Sequence, residues 1–362
     1  MAGRRDRSRR QVLGAVGLAS AGVLVAGVGR HLLLGDGIDR RGPDALLPYI
    51  TPTADFYTFV NGPWPGPATG AETLTISGAG RSRTMDWAEL ATLPRRTALR
   101  TIVCDGNGYR GERLPVAGCA VGADPEESSE HPPPERWTWR YGGIGTAEWG
   151  GMPLRALFDA AGIPMDGRHV AIEGRDGYMR WIPTTAARSD DFLVVLAMNG
   201  APLPHQHGAP ARLIAPGQYG GMCVKWIRSI SCGPRIGAPP WDGGSASHFP
   251  VKPQAFAFAP LDGASVAAGE VALVGGAYAG ERPVGGVFLQ VEGEDPIPAE
   301  LVDPPRPYVW SRWKATLQLH RPGRVVVAIA AADDRGRTSM PQSPWGEASG
   351  YGGLHELRLT VT

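Results

Sequence analysis

The chain has 362 residues, 43% of them hydrophobic and 20% charged, and its 36 basic side chains against 35 acidic ones leave a net charge of +1. That length exceeds one ordinary domain, and the balanced charge removes the electrostatic reason for DNA, RNA or an anionic membrane as the main partner. The 51 glycines and 34 prolines are about twice the usual share of roughly 12%, so turns and short strands are expected over long helices; four cysteines without C-x-x-C spacing exclude a zinc ribbon, a thioredoxin motif or attached haem.

Arg4, Arg5, Arg7, Arg9 and Arg10 precede an uncharged run from Gln11 to Gly29, the layout of an export signal. Its centre, Ser8-Arg9-Arg10-Gln11-Val12-Leu13, looks like a twin-arginine signal. Residues 1–30 are therefore assigned as signal or anchor, and the mature protein as periplasmic or otherwise extracytoplasmic. The 18 residues of 12–29 approach the roughly 20 that span a bilayer, so retention as a membrane anchor is the alternative to cleavage. The twin-arginine route carries folded proteins, commonly loaded with a cofactor.

Residues 31–245 form the first domain expected. Short apolar runs bounded by turn residues, Ala98–Cys104, His169–Glu173, Phe192–Met198 and Ala211–Ala215, read as buried strands. Pro153 opens a helix with Leu154, Leu157, Phe158 and Ala161 on one face, and Gly162 closes it. The result is a mixed α+β domain. Ten of the eighteen residues from Gly233 to Pro250 are Gly, Pro or Ser, which marks the boundary. From 246 to 362 the apolar period becomes two, at Val271 and Leu273, Val287, Leu289 and Val291, Leu317 and Leu319, then Val325, Val327 and Ile329. That pattern predicts an immunoglobulin-like β-sandwich with a packing or dimerising role.

Cys104, in Thr101-Ile102-Val103-Cys104-Asp105-Gly106-Asn107-Gly108, sits where an apolar strand runs into a turn. Alone it is either an inert buried thiol or a thiolate facing a cofactor or substrate. Downstream come Gly143-Ile144-Gly145-Thr146-Ala147-Glu148-Trp149-Gly150-Gly151, Glu173-Gly174-Arg175-Asp176-Gly177-Tyr178, Met198-Asn199-Gly200-Ala201-Pro202-Leu203-Pro204, His207-Gly208-Ala209-Pro210-Ala211-Arg212 and Gly220-Gly221-Met222-Cys223-Val224-Lys225-Trp226. In this order the series resembles the sulfite oxidase superfamily of molybdenum-cofactor enzymes. The tail, with Trp310, Trp313, Trp345 and Gly350-Tyr351, is similar to that family's dimerisation domain.

The resemblance implies a molybdenum-molybdopterin cofactor with Cys104 as the sulfur ligand of the metal, a choice that suits a soft thiolate. It places His207, Arg212 and Lys225, with the Cys223-Val224 backbone, around the pterin and its phosphate. Arg and Lys are the donors such an anion needs. Asp176, Tyr57 and Thr58 match further cofactor contacts, and Tyr178 matches an active-site tyrosine. The implied reaction is two-electron oxygen-atom transfer on a small-molecule substrate. The electrons exchange with an external carrier, a cytochrome or quinone-linked protein, and the protein is a candidate homodimer.

Two departures bear on the substrate. Where sulfite oxidases carry F-x-x-R-N-H, this chain has Phe56-Tyr57-Thr58-Phe59-Val60-Asn61, so Phe59 replaces the substrate-binding arginine. After the cysteine, Gly108 and Tyr109 replace two arginines, with Arg110 one place late. A pocket without these cations binds sulfite dianion poorly. Arg110, Arg175 and Arg180 are candidates to restore charge. The F-Y-x-F run instead looks like the periplasmic methionine-sulfoxide reductase branch, which implies sulfoxide reductase-like activity as an alternative. Two other classes stand beside these: an acyl-transfer enzyme with Cys104 as nucleophile and His207 as base, and a non-catalytic exported binding protein. Cys223 and Cys232 are able to pair after export or to stay reduced, Cys119 reads as a small core residue, and the acidic run Asp124–Arg136 as an exposed loop.

Overall fold

The computed structural model describes residues 22–25, 47–59, 65–105, 107, 119–122, 142–234, 250–339 and 354–362, with backbone alone for 22–25 and 119–122. The twin-arginine motif, Arg110, the acidic run, Trp345 and Gly350-Tyr351 lie outside the described residues. Of the apolar run, Gly22–Val25 is a strand (β1) paired in parallel with Cys119–Gly122 (β5). Among the described residues no helix is long and apolar enough to cross a membrane.

The first region is built on two five-stranded sheets. In the first sheet β4 (Arg96–Val103), β6 (Ile144–Pro153), β9 (Leu193–Met198) and β10 (Ala201–Pro202) lie side by side and antiparallel, and β11 (Arg212–Ile214) also pairs with β9. The second runs β3 (Arg81–Asp86), β2 (Thr73–Gly78), β12 (Ile227–Gly233), β7 (His169–Gly174), β8 (Met179–Pro183), with β12 parallel to β2 and the other pairs antiparallel. The expected helix is present as Leu154–Ala161, buries Leu154, Leu157 and Phe158, and ends on Gly162 in the left-handed region. It packs against both β6 and β2, so its apolar stripe closes the space between the sheets. One core of fully buried Leu74, Ile76, Trp149, Leu157, Phe158, Val170, Ile172 and Val195 joins them.

The second region is a two-sheet sandwich. β13 (Gln254–Ala259), β15 (Gly269–Tyr278), β19 (Ser311–Leu319) and β18 (Glu300–Leu301) face β14 (Ser265–Val266), β21 (His355–Val361), β20 (Gly323–Asp333), β16 (Val284–Val291) and β17 (Ile297–Pro298). The period of two is visible in β21, where His355, Leu357, Leu359 and Val361 point inward and the residues between them outward. Trp313 fills the centre and donates from Nε1 to the Gly276 carbonyl at 3.0 Å.

A third buried cluster joins the two regions: Val103, Ile144 and Tyr219 from the first pack on Val251, Phe256, Phe258, Tyr278, Val309 and Trp310 from the second. Polar bonds cross the same joint. Thr101 N–H donates to the Tyr308 carbonyl at 2.9 Å, and Trp310 N–H donates to Thr101 Oγ1 at 2.9 Å. Val103 and Ile144 flank the turn that carries Cys104, so the site described next is rooted in this joint.

Candidate functional site

The C-terminal ends of β4 and β7, the β9–β10 hairpin and the loop before β11 meet at one end of the first region. Asn199 and Gly200 both have positive φ, 52° and 76°, the primed turn expected of Asn-Gly in a hairpin. The Asn199 side chain then acts as a tie: Oδ1 accepts from Glu148 N–H at 3.0 Å, and Nδ2 donates to the Thr51 carbonyl at 3.0 Å and to Thr53 Oγ1 at 3.1 Å. This fixes the segment leading to Phe56, Tyr57 and Thr58, all buried. Phe56 is stacked on Tyr57 and makes edge contacts with Trp149 and His207.

Backbone bonds bring the cationic residues together. Leu213 N–H donates to the Val224 carbonyl at 2.8 Å and Ile227 N–H to the Ala211 carbonyl at 3.0 Å, which lays the Arg212 strand beside Lys225. Trp226 N–H reaches the Gly208 carbonyl at 3.0 Å and Arg175 N–H the Trp226 carbonyl at 2.9 Å, so the His207 turn and the Asp176 loop join the same cluster. Gly208 has φ of 113°, and a side-chain carbon there would lie 3.0 Å from Lys225 Cβ and 3.2 Å from Arg212 Cβ. Glycine is required at this position on both counts.

His207, Arg212 and Lys225 are buried, at 0%, 4% and 9% exposure. Lys225 Nζ donates to the Gln206 carbonyl at 2.8 Å, and Arg212 Nη1 contacts the His207 carbonyl at 3.4 Å. Among the described residues neither cation forms an ion pair with a carboxylate, and Arg212 Nε and His207 Nδ1 are buried without a hydrogen-bond partner. Burial lowers the proton affinity of Arg212, and burial together with Arg212 holds Lys225 well below the usual lysine range. Burial, reinforced by Lys225 and Arg212, lowers His207 to about 3.

His207 is therefore neutral at physiological pH. Its Nε2 lies 3.2 Å from the Thr53 carbonyl, which only accepts, so Nε2 carries the proton and Nδ1 is a bare acceptor. That state makes His207 a poor general base and removes the support for a Cys104–His207 acyl-transfer pair.

Cys104 is buried just beyond the end of β4, with its N–H on the Gly143 carbonyl at 2.7 Å and its thiol 3.5 Å from Asp105 Oδ1. Tyr57 lies within its electrostatic reach: burial first, then Cys104, raises the phenol well above its ordinary range, while Arg212 opposes the shift. A side-chain carbon on Gly220 would stand 2.7 Å from the Tyr57 hydroxyl and 3.4 Å from the Val103 carbonyl, so glycine there lets the loop close over the cysteine. Tyr178, in the loop between β7 and β8, donates its hydroxyl to the Gly221 carbonyl at 2.8 Å. Asp176 Oδ1 accepts from Tyr178 N–H at 3.1 Å, and burial raises its carboxyl above the ordinary range.

The structure thus gathers Tyr57, Thr58, Cys104, Asp176, Tyr178, His207, Arg212, Cys223, Val224 and Lys225 at one end of the domain. Cys223 and Cys232 are separate free thiols. Cys223 accepts from Ala215 N–H and Cys232 from Gly167 N–H, so the pairing open from sequence is not formed. Phe59 packs against the first core. Arg175 lies 3.5 Å from Glu72, and Arg180 stacks over the Tyr178 ring at 4.4 Å. The positioning roles of Asn199, Thr53 and Gln206 were missed in the sequence. The Asn-Gly turn was a signal for Asn199, whereas Gln206, and Thr53 in its contact with His207, act through main-chain carbonyls that no residue type advertises.

Residues 62–236 match the oxidoreductase molybdopterin binding domain. Sulfite oxidase of Gallus gallus is 27% identical over 79% of this chain and 67% of its own length, and the mitochondrial sulfite oxidase of Homo sapiens is 28% identical over 82% of this chain. The chain spans 58% of the human and mouse proteins. The sulfane dehydrogenase SoxCD of Paracoccus pantotrophus shares the fold with a TM-score of 0.67, at 20% identity, over 87% of this chain and 82% of that one. Residues 62–236 are a molybdopterin-binding oxidoreductase domain of the sulfite oxidase superfamily. Its cofactor is molybdenum-molybdopterin. The donor set fits that group: two buried cations without carboxylate partners suit its phosphate, and a buried thiol at a strand end suits its metal.

Proposed function

We propose that the chain is an exported oxidoreductase that performs two-electron oxygen-atom transfer on a small substrate and exchanges electrons with a separate cytochrome or quinone-linked carrier. The observation that carries this reading is the Arg212–Lys225 pair, buried beside Gly208 and, among the described residues, in no ion pair with a carboxylate. When bound, the cofactor supplies the redox step, and the protein orients the substrate and tunes the site.

In this reading Arg212 donates through its planar fork to the cofactor phosphate and Lys225 adds a second charge. His207 holds an N–H of the pterin instead of the phosphate, because its Nδ1 only accepts. Cys104 supplies the thiolate, and Tyr57, Thr58, Asp176 and the Cys223-Val224 backbone line the cofactor. The Tyr178 hydroxyl donates to the Gly221 carbonyl, which ties the Asp176–Tyr178 loop to the segment that leads into Cys223.

Phe59, apolar and packed on the core, favours a neutral sulfur or nitrogen oxide over sulfite dianion. The Phe56-Tyr57-Thr58-Phe59 run favours sulfoxide reduction as the second reading. Metal analysis of protein from a cofactor-competent host is expected to give near-stoichiometric molybdenum, and its absence refutes the proposal. A screen of sulfite, sulfoxides and N-oxides with an artificial electron carrier then separates the two directions. For export, Arg9→Lys with Arg10→Lys is expected to leave the protein in the cytoplasm; unimpeded transport would remove that part. Sedimentation of the loaded protein tests the homodimer.

A further inference from the structure

Fully buried Asn107 closes the turn that follows Cys104. Its N–H donates to the Cys104 carbonyl at 3.0 Å, and its Oδ1 accepts from Gly143 N–H at 3.0 Å. Gly143 in turn accepts from Cys104 N–H, so the cysteine, Gly143 and Asn107 form a closed ring of hydrogen bonds. With Oδ1 committed to a donor, Nδ2 is the donating end of the amide. It points across the joint to Gln254 Oε1, 3.3 Å away.

Gln254 is the first residue of β13 and is fully buried, and among the described residues its Nε2 has no hydrogen-bond partner. Because Asn107 Nδ2 can only donate, the Gln254 amide stands with its acceptor facing Asn107. Burying an unpartnered amide N–H costs stability, and neither core explains why an apolar side chain does not stand here. The neighbours on both sides, Val103, Ile144, Val251, Phe256 and Tyr278, belong to the cluster that joins the regions.

We infer that Gln254 is a positioning residue for Cys104: through Asn107 the β-sandwich holds the turn that aims the thiol. This rests on the reading of Cys104 as the metal ligand. A ligand must be held to within about 0.5 Å, and its supporting hydrogen bonds set that precision. A domain that contributes no ligand itself thus governs the metal site.

The test compares full-length molybdenum-loaded Gln254→Met, which keeps volume and loses the acceptor, with Gln254→Glu, which still presents an oxygen to Asn107. Hydrogen exchange is read for the peptide spanning Cys104 to Asn107, with strand β7 as reference, and the EPR spectrum of the molybdenum centre is recorded. Gln254→Met is expected to speed exchange in the loop about tenfold, the effect of one lost buried hydrogen bond, and to shift the spectrum. β7 and the Gln254→Glu protein should match wild type. Unchanged loop exchange and spectrum in Gln254→Met, or equal acceleration of β7, overturns the inference.

Should Gln254→Met fail to fold, exchange of the wild-type protein in rising urea decides. The loop and β13 are expected to lose protection together, and a loop that opens while β13 stays protected overturns the coupling. A wild-type EPR spectrum in Cys104→Ser would sink the ligand reading and leave the exchange result standing, so the two failures are distinguishable.

Discussion

Arg312 in the sandwich and Arg212 in the cofactor domain are both withdrawn from solvent, yet their surroundings push them in opposite directions. Arg312 makes a bidentate pair with Asp303, Nη2 to Oδ1 at 2.7 Å and Nε to Oδ2 at 2.9 Å, and its Nη1 reaches the Leu47 carbonyl at 3.0 Å. Those bonds raise its proton affinity. Arg212 has a distant carbonyl and the Cys223 thiol for company, and burial lowers its proton affinity. Arg312 is balanced by a carboxylate of its own region. Arg212 is in no ion pair among the described residues, a burial of charge typical of functional sites.

If that contrast is right, substitutions in the two regions should separate stability from loading. The largest effect is expected at the cysteine: Cys104→Ser should lower turnover by at least about a thousandfold, with circular dichroism unchanged. Wild-type rates in that variant would exclude the metal-ligand role.

Acid should come next. His207 binds a proton near its ordinary 6.5 when unfolded and only at about 3 when folded. The unfolded state therefore holds more protons throughout that interval, and stability falls as pH drops from about 6.5 towards 3. The full interval corresponds to a loss on the order of 5 kcal/mol. Urea titrations of His207→Gln should show a shallower acid slope, and an identical slope would remove His207 as its source.

Arg212→Gln is expected to lower molybdenum and pterin content about tenfold to a hundredfold. The unloaded protein should shift by less than about 1 kcal/mol, because an uncompensated buried charge leaves with the side chain. Arg312→Gln should do the converse. It deprives Asp303 of its partner and should cost about 2 kcal/mol whether or not cofactor is bound, with content unchanged. Equal behaviour of the two variants would erase the distinction between the regions.

The smallest effect concerns the anion itself. Inorganic phosphate at ten times its dissociation constant should stabilise unloaded protein by about 1.4 kcal/mol, and Arg212→Gln should abolish the increment. Calorimetry with chloride at matched ionic strength is the control.

Much of this architecture was legible along the chain. The apolar runs at β4, β7, β9 and β11 sit within one or two residues of their expected positions, and the helix after Pro153 ends on Gly162 as its stop signal requires. The period of two through β15, β16, β19 and β20 announced the sandwich. The ten-residue β6 was not read as a strand, because its glycine-rich stretch, Gly143 to Gly151, has the composition of a loop. Bulky neighbours fill what those glycines leave: Phe56 lies against Gly145. The motif residues were legible as types and their convergence was not, since Arg212 and Lys225 meet through backbone bonds between the β11 strand and the Val224–Ile227 segment.

Residue pattern alone determined the alternation of strands, the helix ends, the Asn-Gly turn and the roster of cations and thiols, because local periodicity and backbone preference act over a few residues. Tertiary structure decided which charges are compensated, which nitrogen of His207 carries its proton, that Cys223 and Cys232 stay apart, and that Gln254 reaches the cysteine turn from another domain. Those properties depend on burial and on partners far away in the chain, and neither is a property of any segment taken alone.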